Sequence, residues 1–329
     1  MKVREKQSAA WPENFQLESD GPGAELAVEE VLAGLEAPQK WLPSKLFYDA
    51  RGSELFNGIT RTEAYYPTRL ERAIFADHAA NIAATLGTHT ALIELGPGDM
   101  SKVRLLLPAL QPSTYVAVDV SESQLIDAGT LLARENPWLQ VVALCADFRT
   151  AGARLEALTE GARRVAFFPG STIGNFEPAQ ACAFLRKLRS LVGEGGAAII
   201  GVDLQKPKSV LDLAYNDPEG WTRAFNLNVL SRLNRELGAN FDERRFAHRA
   251  FYNEALKRVE MHLVSMIGQE VDVGGRIIRF LPGESIHTEN SYKYRPETFA
   301  RSATEAGWAS LACLTDPNGW FGVFLLAAR

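Results

Sequence analysis

Ile93-Glu94-Leu95-Gly96-Pro97-Gly98 stands where a short apolar run ends and a helical pattern begins. Glycines at such a turn let the backbone approach a ligand closely. The loop is not a Gly-x-x-x-x-Gly-Lys-Ser/Thr phosphate loop, and it lacks the third glycine of the dinucleotide fingerprint. A ligand without a pyrophosphate fits both omissions. Asp119, in Val118-Asp119-Val120, follows a second apolar run, where an acid can accept from both hydroxyls of a ribose. Asp147-Phe148 follows a third, and an acid beside an aromatic ring suits the amino group and face of an adenine. Each piece has an ordinary counterpart: a tight turn for the glycines, a helix cap for the aspartate. Their shared placement, at the carboxyl ends of successive strands, points to one ligand site.

The elements that must hold these residues follow from pattern. Strands are expected at Ala91 to Leu95, Tyr115 to Val118, Leu139 to Leu144, Arg164 to Phe168 and Ala197 to Val202. Helices are expected between them, at Ser101 to Leu110, Ser123 to Glu135 and Pro178 to Leu191, after a long one at Leu70 to Leu86 that follows a break at Pro67. This alternation predicts an α/β doubly wound parallel sheet. It stops after the fifth strand. Lys206 to Tyr294 reads as an inserted lobe, with helical stretches at Trp221 to Leu237 and Asp242 to Ala247 and strands at Arg258 to Ser265, Glu270 to Val273 and Arg276 to Phe280. A helix at Glu297 to Ala306 and strands at Ala309 to Leu314 and Trp320 to Ala328 close the chain as a hairpin around Asp316-Pro317-Asn318-Gly319. The first forty residues read as a polar arm followed by a helix at Ala24 to Leu35, and Asp49 and Asp217 read as helix caps. The division expected is 1–69 as an N-terminal part of a substrate lobe, 70–205 as the nucleotide-binding core, 206–291 as the inserted lobe, and 292–329 as completion of the core.

Composition bounds the partners. With 329 residues and 46% hydrophobic content, the chain can bury a large core. A formal net charge of -5 argues against gripping nucleic acid. No apolar run approaches the roughly 20 residues that span a bilayer, and the polar start is no secretory signal. Cys145, Cys182 and Cys313 are far apart, as in a reducing compartment, so a cytoplasmic location is expected, and separately a monomer. The histidines, His78, His89, His248, His262 and His287, form no ligand-spaced motif, and no metal is expected.

Closing a parallel sheet with an antiparallel final strand is similar to the class I S-adenosylmethionine methyltransferases, and not usual in NAD dehydrogenases. A fourth block sharpens this: Phe168-Pro169-Gly170-Ser171-Thr172-Ile173-Gly174-Asn175. With Leu46-Phe47-Tyr48-Asp49-Ala50, Gly52-Ser53-Glu54-Leu55-Phe56, Ala64-Tyr65-Tyr66-Pro67-Thr68-Arg69, Ala214-Tyr215-Asn216-Asp217 and Asn234-Arg235-Glu236-Leu237, it resembles the histidine-specific N-α-methyltransferases of ergothioneine biosynthesis, from about Leu42 to the last residue.

That resemblance implies methylation of free L-histidine, in three transfers to hercynine, in a site between two lobes. It implies S-adenosylmethionine at Gly96, Lys102, Asp119, Asp147, Phe148 and Gly170. It implies the substrate carboxylate and backbone at Asn175 and Tyr215, the amine near Tyr48, a further contact at Tyr65, the imidazole at Glu289 and Ser291, and a ring pocket shaped by Met261. Tyr48 and Asn175 are the residues expected nearest the chemistry, with Tyr48 assisting loss of the amine proton to solvent. Phe47 and Phe56 are expected as core packing. Three other readings stay open here: a methyltransferase for another small amine, an NAD-dependent oxidoreductase, and a non-catalytic S-adenosylmethionine sensor.

Overall fold

The computed structural model describes residues 11–19, 28–147 and 151–329. In chain order the elements are strand β1 (Phe15–Ser19), helix α1 (Val28–Glu36), β2 (Lys40–Trp41), α2 (Ala50–Ile59), α3 (Tyr66–Leu86), β3 (Ala91–Leu95), α4 (Leu107–Leu110), β4 (Thr114–Asp119), α5 (Glu122–Glu135), β5 (Gln140–Cys145), α6 (Gly152–Leu158) and β6 (Arg164–Phe168). They continue with α7 (Pro178–Val192), β7 (Ala197–Asp203), α8 (Lys208–Ala214), α9 (Trp221–Leu237), β8 (Phe246–Asn253), β9 (Arg258–Ser265), β10 (Gln269–Val273), β11 (Arg276–Phe280), β12 (Ser285–Tyr292), α10 (Pro296–Glu305), β13 (Trp308–Thr315) and β14 (Phe321–Ala328).

The main sheet has the order β1-β5-β4-β3-β6-β7-β14-β13. Its first six strands run parallel, and β14 enters antiparallel beside β7 before pairing with β13. The five parallel strands predicted from apolar runs and the terminal hairpin are all present. Strands β3, β6 and β7 are apolar almost throughout and buried on both faces, as expected for parallel strands covered by helices. One apolar cluster, with Phe75, Tyr115, Phe167 and Leu325, fills one face. Another, with Val116, Phe168, Leu185 and Trp308, fills the other.

A second sheet, β2-β12-β9-β8, lies beside the β10–β11 hairpin. A separate core of Val31, Phe47, Ile59, Phe225, Met261 and Phe280 unites the segments before residue 70 with those after 210. Asp49 Oδ1 accepts from Gly52 N at 2.7 Å, capping α2, and Asp217 accepts from Trp221 N and Thr222 N, both at 2.7 Å, at the start of α9. Both aspartates are thus the caps the sequence suggests.

Several local expectations are corrected. The polar arm contains β1, which extends the main sheet at its β5 edge. Phe15 secures it by lying on Gly129 of α5, where even a Cβ would stand 2.6 Å from its ring, and Asn14 Nδ2 donates to the carbonyls of Ala133, Asn136 and Leu139. The helix expected from Ala24 runs over Val28–Glu36, its first four residues lying outside the described ones. Pro67 does not break α3. It occupies the first turn, where a missing N–H costs nothing. Ser101 to Leu110 is a 3-10 turn and the single turn of α4, because Pro108 cannot continue a long helix. Asp242 to Ala247 is a short 3-10 turn leading into β8. Strand β12, not predicted, takes up the residues around Glu289. Phe15→Ala should lower stability by about 3 kcal/mol, in the range for deleting a buried phenyl ring, seen as a lower urea midpoint at unchanged slope. A loss below about 0.5 kcal/mol would show that β1 lies outside the cooperative unit.

Candidate active site

The glycine loop follows β3. Gly96 and Gly98 have φ of +70° and +55°, conformations that L side chains rarely adopt, and the space where their side chains would begin is open. Asp119 ends β4 and accepts from Ser121 N at 3.0 Å. Burial raises its pKa against two backbone hydrogen bonds. Asp147 follows β5. Phe148 lies outside the described residues. Gly170 follows β6 with φ +80°, and a Cβ there would stand 3.0 Å from Lys102 Nζ. Gly96, Lys102, Asp119, Asp147 and Gly170 therefore line the carboxyl ends of four adjacent strands, where ligands bind in such sheets. The open glycine turn and the terminal acid of β4 fit an adenosine-bearing cofactor.

One carboxylate that sequence reasoning missed ties this half together. Glu71 of α3 is fully buried. It pairs with Lys102 Nζ at 2.6 Å and accepts from Gly170 N at 2.8 and 3.0 Å. It leaves no room for a side chain at Gly201 of β7. Nearby, Glu94 of β3 accepts from Tyr115 OH at 2.5 Å, and burial raises its pKa to about 8. At neutral pH it stays largely protonated.

The substrate half is built around β12. Its pairing with β9 slips between His287 and Glu289: His287 faces His262, while Glu289 faces Met261. A β-bulge at Thr288 thus lets His287 and Glu289 leave the strand on opposite faces. Thr288 Oγ1 donates to Asn226 Oδ1 at 2.7 Å, and Asn226 Nδ2 donates to His262 O at 3.0 Å, so α9 clamps the bulge. Asn175 Nδ2 donates to Glu289 Oε1 at 3.2 Å. Asn175 gets there because the turn Thr172–Asn175 lies directly on β12, with no side chain at Gly174 to hold it off. Ser291 Oγ accepts from Tyr215 OH at 2.8 Å and from Lys293 Nζ at 2.7 Å. Burial lifts the Glu289 pKa to about 7, against the lowering effects of Lys293 and Asn175.

An aromatic wall closes the site. Tyr48 lies edge-on to Phe56 and Phe225, both at 5.9 Å, and Tyr65 edge-on to Phe56 at 6.1 Å and Tyr215 at 6.3 Å. Phe47 stacks on Phe225 at 4.5 Å inside the core, as expected for Phe47, while Phe56 is only partly buried. Phe225 of α9, which sequence reasoning missed, forms the back of this wall. Tyr48 keeps 41% of its surface open. Desolvation raises its pKa, followed by the charges of Glu289, Tyr215 and Asp119. Tyr48 stands within electrostatic reach of acids from both halves and remains a neutral phenol.

The structure also gathers Glu260, His262 and His287, which sequence spacing kept apart. The two rings stack in parallel, 4.6 Å apart at 13°, so their in-plane lone pairs do not converge on one point. Glu260 accepts from Arg258, Asn253 and His262. This cluster braces the outer face of the bulge. A shallow surface hollow of about 510 Å³ beside Arg163, Arg164 and Gly193 lies at the opposite ends of the strands from the residues described.

A mostly parallel sheet of this order, with an open glycine turn after its central strand and an acid ending the next, is that of a class I S-adenosylmethionine-dependent methyltransferase. A family model described as histidine-specific methyltransferase, SAM-dependent, matches residues 27–328, and the chain belongs to that family. It is 41% identical to a histidine N-α-methyltransferase of Mycolicibacterium smegmatis, over 92% of this chain and 95% of that protein. It is 40% identical to a protein of the same name from Mycobacterium tuberculosis, over 91% and 94%. It is 27% identical, over 88% and 90%, to a 4-dimethylallyltryptophan N-methyltransferase of Aspergillus fumigatus. A methyl group placed at residue 174 would press on Tyr292 O at 2.9 Å. Gly174→Ala should therefore cost about 1–3 kcal/mol in thermal unfolding, and unchanged stability would show that the turn can retreat from β12 freely.

Proposed function

We propose that this chain transfers methyl groups from S-adenosylmethionine to the α-amine of free L-histidine, three times over, to give hercynine, the opening step toward ergothioneine. The observation that carries the reading is Glu289, a half-buried carboxylate that accepts from Asn175, lies two residues before Ser291 on β12 and is aimed by the bulge away from His287. An imidazole N–H rewards this carboxylate, whereas most other amino acids offer it no ring donor beyond the Asn175 amide. Sites that hydrogen-bond a substrate N–H can reject analogues lacking it by roughly 10⁴-fold. An indole amine of the kind named for the more distant relative calls for an apolar group in that place.

Gly96, Lys102, Asp119, Asp147, Phe148 and Gly170 are proposed to hold the cofactor, which when bound supplies the electrophilic methyl group. The protein's task is then alignment, which can contribute several kcal/mol. Asn175 and Tyr215 are proposed to hold the substrate's carboxylate and backbone, with Tyr65 as a further contact, Glu289 and Ser291 to take the ring, and Met261 to bound it. Tyr48 is proposed at the amine. As a neutral phenol it accepts a hydrogen bond from the attacking nitrogen and hands protons toward solvent through its open edge. Each ring of the wall can also favour a quaternary ammonium product by about 0.5–2 kcal/mol. The lobe division at about 69, 205 and 291 suits a site lying between the two cores. Among the described residues no helix is long and apolar enough to cross a membrane. A cytoplasmic setting is proposed from the sparse, scattered cysteines of the sequence, and a monomer is proposed with it.

Glu289→Ala should raise KM for histidine by about 10- to 100-fold, the worth of one charge-assisted hydrogen bond, and leave S-adenosylmethionine binding unchanged in calorimetry. Equal KM in that variant would remove Glu289 from the pocket. For the native enzyme, affinity for histidine should rise with pH through about 7 as Glu289 ionises. Tyr48→Phe should lower kcat and alter its pH profile, and a variant with native rate and profile would take Tyr48 out of proton loss.

A further inference from the structure

Lys293 follows β12, two residues past Ser291 and four past Glu289, so strand alternation puts the three on one face. Its ammonium is fully buried and gives all three of its protons away: to Asp203 Oδ2 at 2.7 Å, to Tyr215 OH at 3.1 Å and to Ser291 Oγ at 2.7 Å. An ammonium has no lone pair, so each contact has only one possible direction. Tyr215 OH in turn donates to Ser291 Oγ, the expected direction because a phenol is the better acid and an alkyl hydroxyl the better acceptor. Ser291 Oγ therefore has both lone pairs filled. One proton is left to it, and that proton can only be donated. Glu289, when ionised, can only accept. The face thus offers one acceptor and one donor, the complement of a ring with one N–H and one bare nitrogen.

We infer that Lys293 fixes Ser291 as a hydrogen-bond donor and so makes the pocket select histidine with a neutral imidazole ring, whose N–H goes to Glu289 and whose bare nitrogen receives the Ser291 proton. This rests on the reading of Glu289 and Ser291 as the partners of the ring. An imidazolium carries N–H at both nitrogens, and its second would meet the Ser291 proton with no lone pair free to receive it. Lys293 touches no substrate in this scheme and acts as a positioning residue. The groups facing the pair are Tyr48, Tyr65 and Tyr215 around Glu289, and Asp203, backed by Lys206 and Tyr66, around Lys293. At each pH both substrates meet the enzyme in the same protonation state, so their ratio compares the rings. Binding of each, measured without methyl transfer, to Glu289→Gln, whose side chain does not titrate, removes the contribution of Glu289 itself.

The test compares kcat/KM for L-histidine with that for triazolylalanine, an isostere whose ring stays neutral throughout. Imidazole titrates near 6.5, so its neutral fraction falls about tenfold from about pH 7.5 to about 5.5. The histidine-to-triazolylalanine ratio should fall by the same about tenfold. A flat or rising ratio overturns the inference. Lys293→Met frees a lone pair on Ser291, and the ratio should then stay within about twofold while S-adenosylmethionine still binds as in the native enzyme. A variant that binds the cofactor and keeps the full fall overturns the part given to Lys293. If that variant fails to fold, the native ratio still decides whether the ring is taken neutral. Absence of histidine methylation at every pH would overturn the underlying reading of the pocket instead.

Discussion

The carboxylate of Asp203, buried at the end of β7, is the point on which the two halves of the molecule meet. Burial alone would push its pKa up, but Lys206 and Lys293 more than reverse this and hold it ionised. Tyr66 of α3 donates to it at 2.8 Å, Lys206 donates at 2.5 Å, and Ser171 accepts from its backbone N at 2.8 Å. The network therefore reaches α3, the turn after β6, and β12 of the second sheet. A buried ion cluster is weak support for stability, because desolvation offsets most of the Coulombic gain. Its geometry is its contribution: three elements that carry site residues are held in one arrangement, and removing any partner would leave a charge buried and unpaired.

The bulge in β12 serves the same end on the substrate side. A regular strand would send His287, Glu289 and Ser291 to one face. With Thr288 as the extra residue, the stacked histidines pack outward while Glu289 and Ser291 turn inward beside Asn175 and Tyr215. Asn226 holds Thr288 from α9. Glu71 does comparable work on the cofactor side, where one carboxylate joins Lys102 to the start of the loop that ends in Asn175. Neither half of the site stands apart from the other.

How much of this was legible in the sequence depended on whether the signal was local. Strands β3, β6 and β7 are continuous apolar runs, and α9 carries its cap and its pattern within itself, so their positions followed directly. Strand β12 did not show, because Ser-Ile-His-Thr-Glu-Asn-Ser-Tyr is mostly polar and the bulge breaks its alternation. Lys293 was missed for the same reason: as a strand residue it shares a face with Ser291, but as a loop residue it looks solvated. Glu71 reads as an ordinary helix charge until α3 is laid against β7, and β1 depends on a fit between Phe15 and Gly129 that spans more than a hundred residues. Glu289, Ser291 and Met261 were nameable only through resemblance, since nothing in their spacing speaks of imidazole.

The central claim is that the pocket bounded by Tyr48, Asn175 and Glu289 takes the amine of free histidine. Mass spectrometry after incubation with S-adenosylmethionine and an equimolar mixture of the free amino acids tests it most directly. Trimethylated histidine as the sole product is the expected result. Methylation of a different amino acid, with histidine untouched, would contradict the account while leaving the fold and the cofactor half of the site intact.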